Sequence, residues 1–306
     1  LENSVIVIVG PTCSGKSVLG IKLAEKLKSE IISADSRQFY TKLNIGTAKP
    51  PSSDLKKINH HFIDSLQPDE EYNVSIYSEQ AEKIINSLLL KNKTPIVVGG
   101  SGLYIKALID GIVETADKDE DYRKELFKIK YQDGISKLYE MLQKADPVSA
   151  SRMLPQNWKR VMRALEVFHT TGKPIWQHQQ LQQRKNKFNF IQFGLDWPRD
   201  ILYTNINKRV DEMILNGLVE EVKSLIDHGF SENLNSMNTV GYKEIISFLK
   251  NETSLGEAIE LIKRNTRRYA KRQITWFRKD NRIKWFKLNS VDELTGASNK
   301  ILDELK

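Results

Sequence analysis

The 306-residue sequence predicts an α/β protein: a parallel β-sheet flanked by helices, with an all-α domain inserted into it. Three observations carry that expectation. Short apolar runs, Val5 to Val9, Pro95 to Val98 and Phe190 to Leu195, alternate with stretches whose apolar residues recur at helical spacing, as in a parallel sheet covered on both faces. A glycine-rich octapeptide sits at the first strand-to-helix junction. From Thr115 to about Phe188 the strand signal gives way to charged amphipathic helices.

In chain order, the strand Val5 to Val9 passes through the glycine-rich turn into a helix from Lys16 to about Leu27. That helix carries Leu19, Leu23 and Leu27 at helical spacing, and a second strand follows over Glu30 to Ser33. A helix over Val74 to Leu90 precedes the strand Pro95 to Val98. The insertion carries helices over Asp121 to Tyr131, Ile135 to Gln143 and Trp158 to His169. It ends in a Gln- and Lys-rich stretch, Gln177 to Lys187, expected to be solvated. The strand Phe190 to Leu195 resumes the sheet, and long helices run on to Gln273. Two domains are expected: a core of 1–114 with 189–306, ending in basic helices, and a helical insertion of 115–188.

Composition narrows the function. With 40% hydrophobic and 28% charged residues, the chain reads as an ordinary globular protein, and its apolar runs are far too short to span a membrane. The single cysteine, Cys13, excludes a disulfide framework and a multi-cysteine metal site. The first strand begins within a few residues, which leaves no room for a signal or transit peptide; a cytoplasmic protein, monomeric and without an obligate protein partner, is the expectation. A net charge of +8 favours an anionic partner only weakly, but its placement says more. From Lys263 to Lys287 there are eleven Lys or Arg residues against one acid, Asp280.

The octapeptide Gly10, Pro11, Thr12, Cys13, Ser14, Gly15, Lys16, Ser17 fits G-x-x-x-x-G-K-[ST] between a strand and a helix, so the core is expected to be P-loop NTPase-like. Its backbone N–H groups can close around phosphate oxygens, Lys16 supplies a point charge, and the Ser17 hydroxyl can ligate Mg²⁺. The motif specifies a polyphosphate without specifying a nucleoside triphosphate. An ATPase would offer a second buried strand ending in a metal-binding Asp, whereas the strand Pro95 to Val98 ends in Gly99-Gly100-Ser101-Gly102. The available carboxylate is Asp35, at the end of the preceding strand, and such sheets bind ligands beyond the carboxyl ends of their strands. Asp35, Ser101 and the phosphate loop are therefore expected to share one cleft. His60-His61 suggests a metal pair, but neighbouring side chains diverge in a strand and no further ligands cluster with them.

Several blocks then carry a resemblance. Ile31-Ile-Ser-Ala-Asp35-Ser-Arg-Gln38, Asn44-Ile-Gly-Thr-Ala-Lys-Pro50, His60-His-Phe-Ile-Asp64 and Val97-Val-Gly-Gly-Ser-Gly-Leu-Tyr104 lie in the first half. Arg160-Val-Met-Arg-Ala-Leu-Glu166, Thr171-Gly-Lys-Pro174, Asn207-Lys-Arg-Val-Asp-Glu-Met213, Gly241-Tyr-Lys-Glu244 and the run Lys263 to Arg278 follow. In this order they resemble the tRNA dimethylallyltransferases (tRNA isopentenyltransferases) of bacterial type. Ser101 stands where that family usually has Thr, Cys13 takes a small-residue position, and Asn44 stands where Asp is expected.

The resemblance implies transfer of a dimethylallyl group from dimethylallyl diphosphate to N6 of the adenosine 3′ of the anticodon, in tRNAs reading codons that begin with U. It assigns the diphosphate to Gly10 through Ser17 and to Arg209, the base to Asp35, and a positioning role to Ser101. It places tRNA against Asp35, Ser36, Arg37, Gln38 and Ser101, and against a second set: Arg123, Lys159, Arg160, Val161, Met162 and Arg163. Arg264, Arg268 and Arg272 recur every four residues as one basic helical face, with few acids to pair them, and suit RNA phosphates. Trp158, Trp176, Trp197, Trp276 and Trp285 could stack bases, but their spread favours packing roles. A P-loop kinase acting on a small metabolite explains the first hundred residues equally well and leaves the insertion and the basic helix without a use. An adenylate isopentenyltransferase acting on free nucleotides is the other competitor.

Overall fold

Alternation of side chains along a strand forces β1 (Ser4–Val9) to serve two cores at once. Ile6 and Ile8 face one layer and Val5, Val7 and Val9 the other, and all five are fully buried. A strand buried on both faces belongs in the middle of a parallel sheet. The computed structural model, which describes residues 3–111, 119–181 and 187–305, places it there. The chain divides into two compact units, Leu1–Ile109 with Asn186–Lys306, and Asp110–Lys185.

In the first unit, β1 leads to α1 (Lys16–Leu27), β2 (Ile31–Ser33), α2 (Ser52–Lys57), β3 (His60–His61), α3 (Val74–Leu90), β4 (Ile96–Gly99) and α4 (Gly102–Asp110). The second unit contains α5 (Glu120–Ala145), α6 (Pro147–Ser151), α7 (Trp158–Thr171) and α8 (Ile175–Leu181). The chain then returns through β5 (Asn189–Asp196), α9 (Arg199–Leu215), α10 (Leu218–Asp227), α11 (Tyr242–Leu249), α12 (Leu255–Phe277), β6 (Lys284–Lys287) and α13 (Glu293–Glu304). The six strands run in the order β3-β2-β4-β1-β5-β6, every neighbouring pair parallel. No helix among the described residues is long and apolar enough to cross a membrane.

One layer packs α1, α9 and α13 on the sheet through Leu19, Leu23, Leu202, Ile206, Leu294 and Ile301, and the other packs α3 and α4 through Tyr77, Ala81, Ile85, Ile105 and Leu108. A third cluster lies beyond the strand ends. There Tyr40 and Leu43 meet Val210 and Met213 of α9, Leu218 of α10, Tyr242 and Ile245 of α11 and Ile262 of α12.

Among the strands, the two at the edges are the ones the sequence left unread. β3 is two residues long and β6 carries Lys284 and Lys287, so neither has an apolar run to announce it. The histidines of β3 are absorbed locally. His61 pairs with Glu30 at 2.8 Å and the His60 ring bonds the Ile58 carbonyl at 2.8 Å.

The helical unit has its own core of Leu126, Leu138, Leu142, Ala150, Val161, Met162 and Leu165. The two sequence-predicted helices at its start form one span, α5, broken at Gly134, whose φ of 84° is not helical. Thr115, the predicted start of the insertion, lies outside the described residues, as do residues 182–186 of the Gln- and Lys-rich stretch, which begins inside α8.

The sheet closes tightest where the ends of β2 and β4 pass each other. Ala34 N–H donates to the Val98 carbonyl at 2.8 Å and Ser101 N–H to the Ala34 carbonyl at 3.1 Å. A Cβ at Gly99 would lie 2.2 Å from that Ala34 oxygen, a backbone atom with no rotamer to yield. Gly99→Ala is therefore expected to destabilise the protein by about 2 kcal/mol or more. Urea unfolding of parent and variant checks this, and coincident midpoints would mean the strand ends can part freely.

Candidate active site

The phosphate loop owes its path to two glycines. Gly10 has φ of 153°, and a Cβ there would meet Ser14 Oγ at 2.9 Å and the Leu195 carbonyl oxygen at 3.2 Å. Gly15, the N-cap of α1, has φ of 85° and faces Leu294. Cys13 is left-handed as well, with φ of 62°. α1 opens without a side-chain cap and without an acid in its first turn, so its leading N–H groups remain for an anion. The Trp197 indole N–H holds the Ser14 carbonyl at 3.0 Å from behind, while the Ser14 hydroxyl is buried with no hydrogen-bond partner among the described residues.

Lys16 lies deep in this loop and donates to the Pro11 carbonyl at 2.6 Å. Burial lowers its pKa to about 8, the Asp35 carboxylate resists that shift, and Arg209 adds to it. Arg209, on α9, donates from Nη2 to Thr12 Oγ1 at 2.5 Å, and its Nε is buried without a partner among the described residues. Gln273, on α12, locks the loop to the sheet. Its Oε1 accepts from Thr12 N–H at 2.8 Å and its Nε2 donates to the Gly100 carbonyl at 2.9 Å.

Asp35 follows β2, one carboxylate oxygen accepting the Arg37 N–H at 3.0 Å. Ser101 reaches this turn indirectly. Its Oγ accepts from Ser36 N–H at 3.0 Å and donates to Ser36 Oγ at 3.2 Å.

Two cavities open here, both in the first unit. One of about 220 Å³ is formed by Thr12 to Val18 of the loop with Gln38, Val98 and Gln273. Its neighbour, about 320 Å³, is bounded by Ser36, Arg37, Lys243 and Arg272. Thr12, Asp35, Thr47, Arg209 and Tyr269 border both. The structure thus brings together the phosphate loop, Asp35, Ser36, Arg37, Arg209 and Arg272.

Other expected residues are spent on contacts within the protein or lie away from the cavities. Gln38 is 8% exposed, its amide spent on the Thr47 and Ala48 carbonyls at 3.2 and 3.1 Å, so it anchors a neighbouring segment and has little surface for a base. Arg37 is held to the Asn235 carbonyl at 2.6 Å. Arg264 and Arg268 are exposed on α12 and border neither cavity. In the helical unit, Lys159 and Arg160 are exposed, whereas Arg123 and Arg163 both bind the buried Glu166, at 3.1 and 2.5 Å. Val161 and Met162 correct the sequence reading. At 1% and 4% exposure they are core residues of that unit and offer RNA no side-chain surface.

Sequence reasoning gave no role to Gln273 or Tyr269. The only available signal was their one-turn spacing within the basic run of α12, where the arginines drew the reading. It also gave none to Glu221, whose carboxylate gathers the N–H groups of Asn44, Ile45 and Gly46 at 2.9, 2.8 and 3.2 Å and the Tyr242 hydroxyl at 2.6 Å.

Fold and site define a phosphate-loop α/β enzyme whose anion cavity opens beside a carboxylate and a second, arginine-edged cavity. The sequence matches the family described as IPP transferase over residues 38–280. A tRNA dimethylallyltransferase of Pelotomaculum thermopropionicum is 48% identical over 301 residues, covering 98% of this chain and 96% of the relative. The full-length tRNA isopentenylpyrophosphate transferase of Bacillus halodurans superposes with a TM-score of 0.72 at 36% identity, covering 100% of this chain and 97% of that one. A eukaryotic dimethylallyltransferase acting on tRNA reaches 0.83 at 29% identity, covering 98% and 78%. The chain belongs to the IPP transferase family and is a transferase.

The Lys16 environment gives a pH test. An anion in the loop favours the charged ammonium, whereas the free protein loses that proton near pH 8, so binding above this pH must take up a proton. Affinity for an organic diphosphate is expected to fall about tenfold between pH 7 and pH 9, with proton uptake visible by calorimetry in buffers of different ionisation enthalpy. Lys16→Ala should bind weakly and without that pH step; a step that survives the substitution belongs to another group.

Proposed function

We propose that this chain moves a dimethylallyl group from dimethylallyl diphosphate to N6 of the adenosine 3′ of the anticodon, in tRNAs reading codons that begin with U. The observation that carries the reading is the meeting of two cavities at Asp35 and Arg209, one shaped by a phosphate loop and one edged by arginines. The near-full-length relatives named for this activity support it.

In this reading the diphosphate sits in the smaller cavity, received by the loop N–H groups, Lys16 and Arg209. The target base lies in a tRNA loop and must be swung out to enter the larger one. N6 of adenine is a poor nucleophile because its lone pair is delocalised. As the bond from N6 to the allylic carbon forms, Asp35 takes the N6 proton and the electron pair of the breaking C–O bond leaves with the diphosphate. Ser101 acts through Ser36, holding the turn that aims Asp35. Exposed Lys159 and Arg160, with Arg264 and Arg268, serve as phosphate contacts for the anticodon stem-loop. The tRNA substrate carries a cytoplasmic location with it.

Mg²⁺ fits the loop. Among the described residues no three His, Cys, Asp or Glu side chains cluster to hold a metal alone, so the ion would be held by the Ser17 hydroxyl and the donor's own oxygens, as Mg²⁺ commonly is. When bound it would neutralise charge on the leaving diphosphate.

The test is to incubate the protein with tRNA and either labelled dimethylallyl diphosphate or labelled ATP. Prenyl label should appear in tRNA; phosphoryl transfer from ATP to a small acceptor would instead favour a kinase. In the same assay Asp35→Asn, which keeps the shape but cannot accept the proton, is expected to lower turnover by roughly 10²–10⁴-fold with little change in tRNA affinity. Neutralising Arg264 and Arg268 together should weaken cognate and non-cognate anticodon stem-loops alike. It should also flatten the salt dependence of binding, by a slope of about one for each arginine–phosphate pair removed. An unchanged slope would make that face of α12 structural.

A further inference from the structure

Tyr269 takes no part in the proposed proton transfer, yet it stands on the border of both cavities. It lies on α12 one turn before Gln273, the residue that clamps Thr12 of the phosphate loop. Its neighbours are charged. The phenol feels the Asp35 carboxylate and the guanidinium groups of Arg37, Arg272 and Arg209, and Arg272 lies 5.7 Å from the ring centre. Its hydroxyl has no hydrogen-bond partner among the described residues. It is also not among the sealed, unpaired polar atoms of the interior. A polar group of this kind, set among ions and left unbonded by the protein, is available to a ligand.

We infer that the Tyr269 hydroxyl is a further catalytic group of the proposed reaction, donating a hydrogen bond to the diphosphate leaving group of the prenyl donor. The inference rests on the reaction proposed above and deepens it. Burial pushes the ionisation of this phenol well above its ordinary value, so it is a neutral O–H throughout the physiological range. A neutral O–H beside two substrates can serve each only by complementarity. The exocyclic amine of adenine brings protons that need an acceptor, a need Asp35 meets, whereas diphosphate oxygens only accept. As the bond between the allylic carbon and oxygen breaks, its electron pair remains on that oxygen, whose charge grows. The phenol hydrogen bond strengthens with that charge and keeps its proton, while the N6 proton goes to Asp35. Thr12, Thr47 and Arg209 share the border; the Thr47 hydroxyl already donates to the Leu43 carbonyl at 2.6 Å, and Arg209 holds the Thr12 hydroxyl oxygen at 2.5 Å.

The test removes one oxygen atom. Tyr269→Phe is expected to lower kcat for prenyl transfer to tRNA by roughly 10- to 100-fold. The KM for dimethylallyl diphosphate and the Kd for the anticodon stem-loop should stay within about threefold, because the bond gains its strength only as charge develops. Replacing Tyr269 with 3-fluorotyrosine restores a hydroxyl that is a stronger donor, and should return kcat to the parent value or above it. A purely structural tyrosine would show no such rescue ordered by donor strength. If Tyr269→Phe turns over within twofold of the parent, or if its loss falls wholly on donor KM or RNA affinity, the inference is overturned while the proposed reaction stands. If the parent protein itself fails to prenylate tRNA, the proposed reaction falls and the inference falls with it.

Discussion

The side-chain amide of Gln273 is the contact on which the site depends. It crosses from α12 to the Thr12 N–H and the Gly100 carbonyl, joining the phosphate loop after β1 to the turn after β4. The residue is 6% exposed, and its bond to the Gly100 carbonyl is buried, whereas the Thr12 N–H lies in a half-buried loop at the rim of the cavities. An unsatisfied buried group costs about 1–3 kcal/mol, and loss of the amide would leave the Gly100 carbonyl in that state and untether the Thr12 N–H. The space for the amide is reserved in the backbone, since a Cβ at Gly100 would lie 2.2 Å from Gln273 Nε2. The loop is thus fixed from outside by the same helix that presents Arg264, Arg268 and Arg272.

With the loop fixed, charge becomes the next constraint. Lys16, Arg209, Arg37 and Arg272 border the two cavities, with Asp35 the acid facing them there. The cations disfavour one another, which is visible at Lys16, where burial and Arg209 act together against the ammonium. An anion with two or more charges relieves that repulsion at once. Binding is therefore favoured by the unbalanced positive charge of the site itself, and a low-dielectric pocket strengthens the effect.

A second scaffold sets the far wall of the larger cavity. Glu221 collects three successive backbone N–H groups from Asn44 to Gly46 and the Tyr242 hydroxyl, and Gly46 has no Cβ because one would lie 2.3 Å from the Tyr242 ring. Gln38 holds the same segment from the other side through the Thr47 and Ala48 carbonyls. Thr47, which borders both cavities, is placed by these two anchors.

The sequence by itself determined what short-range physics governs. The strand β1, the loop Gly10 to Ser17, the helices α1 and α3 and the strand β5 follow from periodicity and glycine placement within a dozen or so residues, and the family follows from its blocks. On α7 the helical period even separates exposed Lys159 and Arg160 from buried Val161 and Met162, a distinction that matching a contiguous motif overlooked. What tertiary structure alone decided are pairings across long separations: Gln273 with Thr12, 261 residues apart, and Arg209 with Thr12, 197 apart. The weak edge strands β3 and β6 belong here too, since only docking beside β2 and β5 makes them strands. Nothing local distinguishes Gln273 or Tyr269 from other polar residues of a basic helix. Their identity as site residues arises when the parallel sheet brings the carboxyl ends of its strands to the face on which α12 lies.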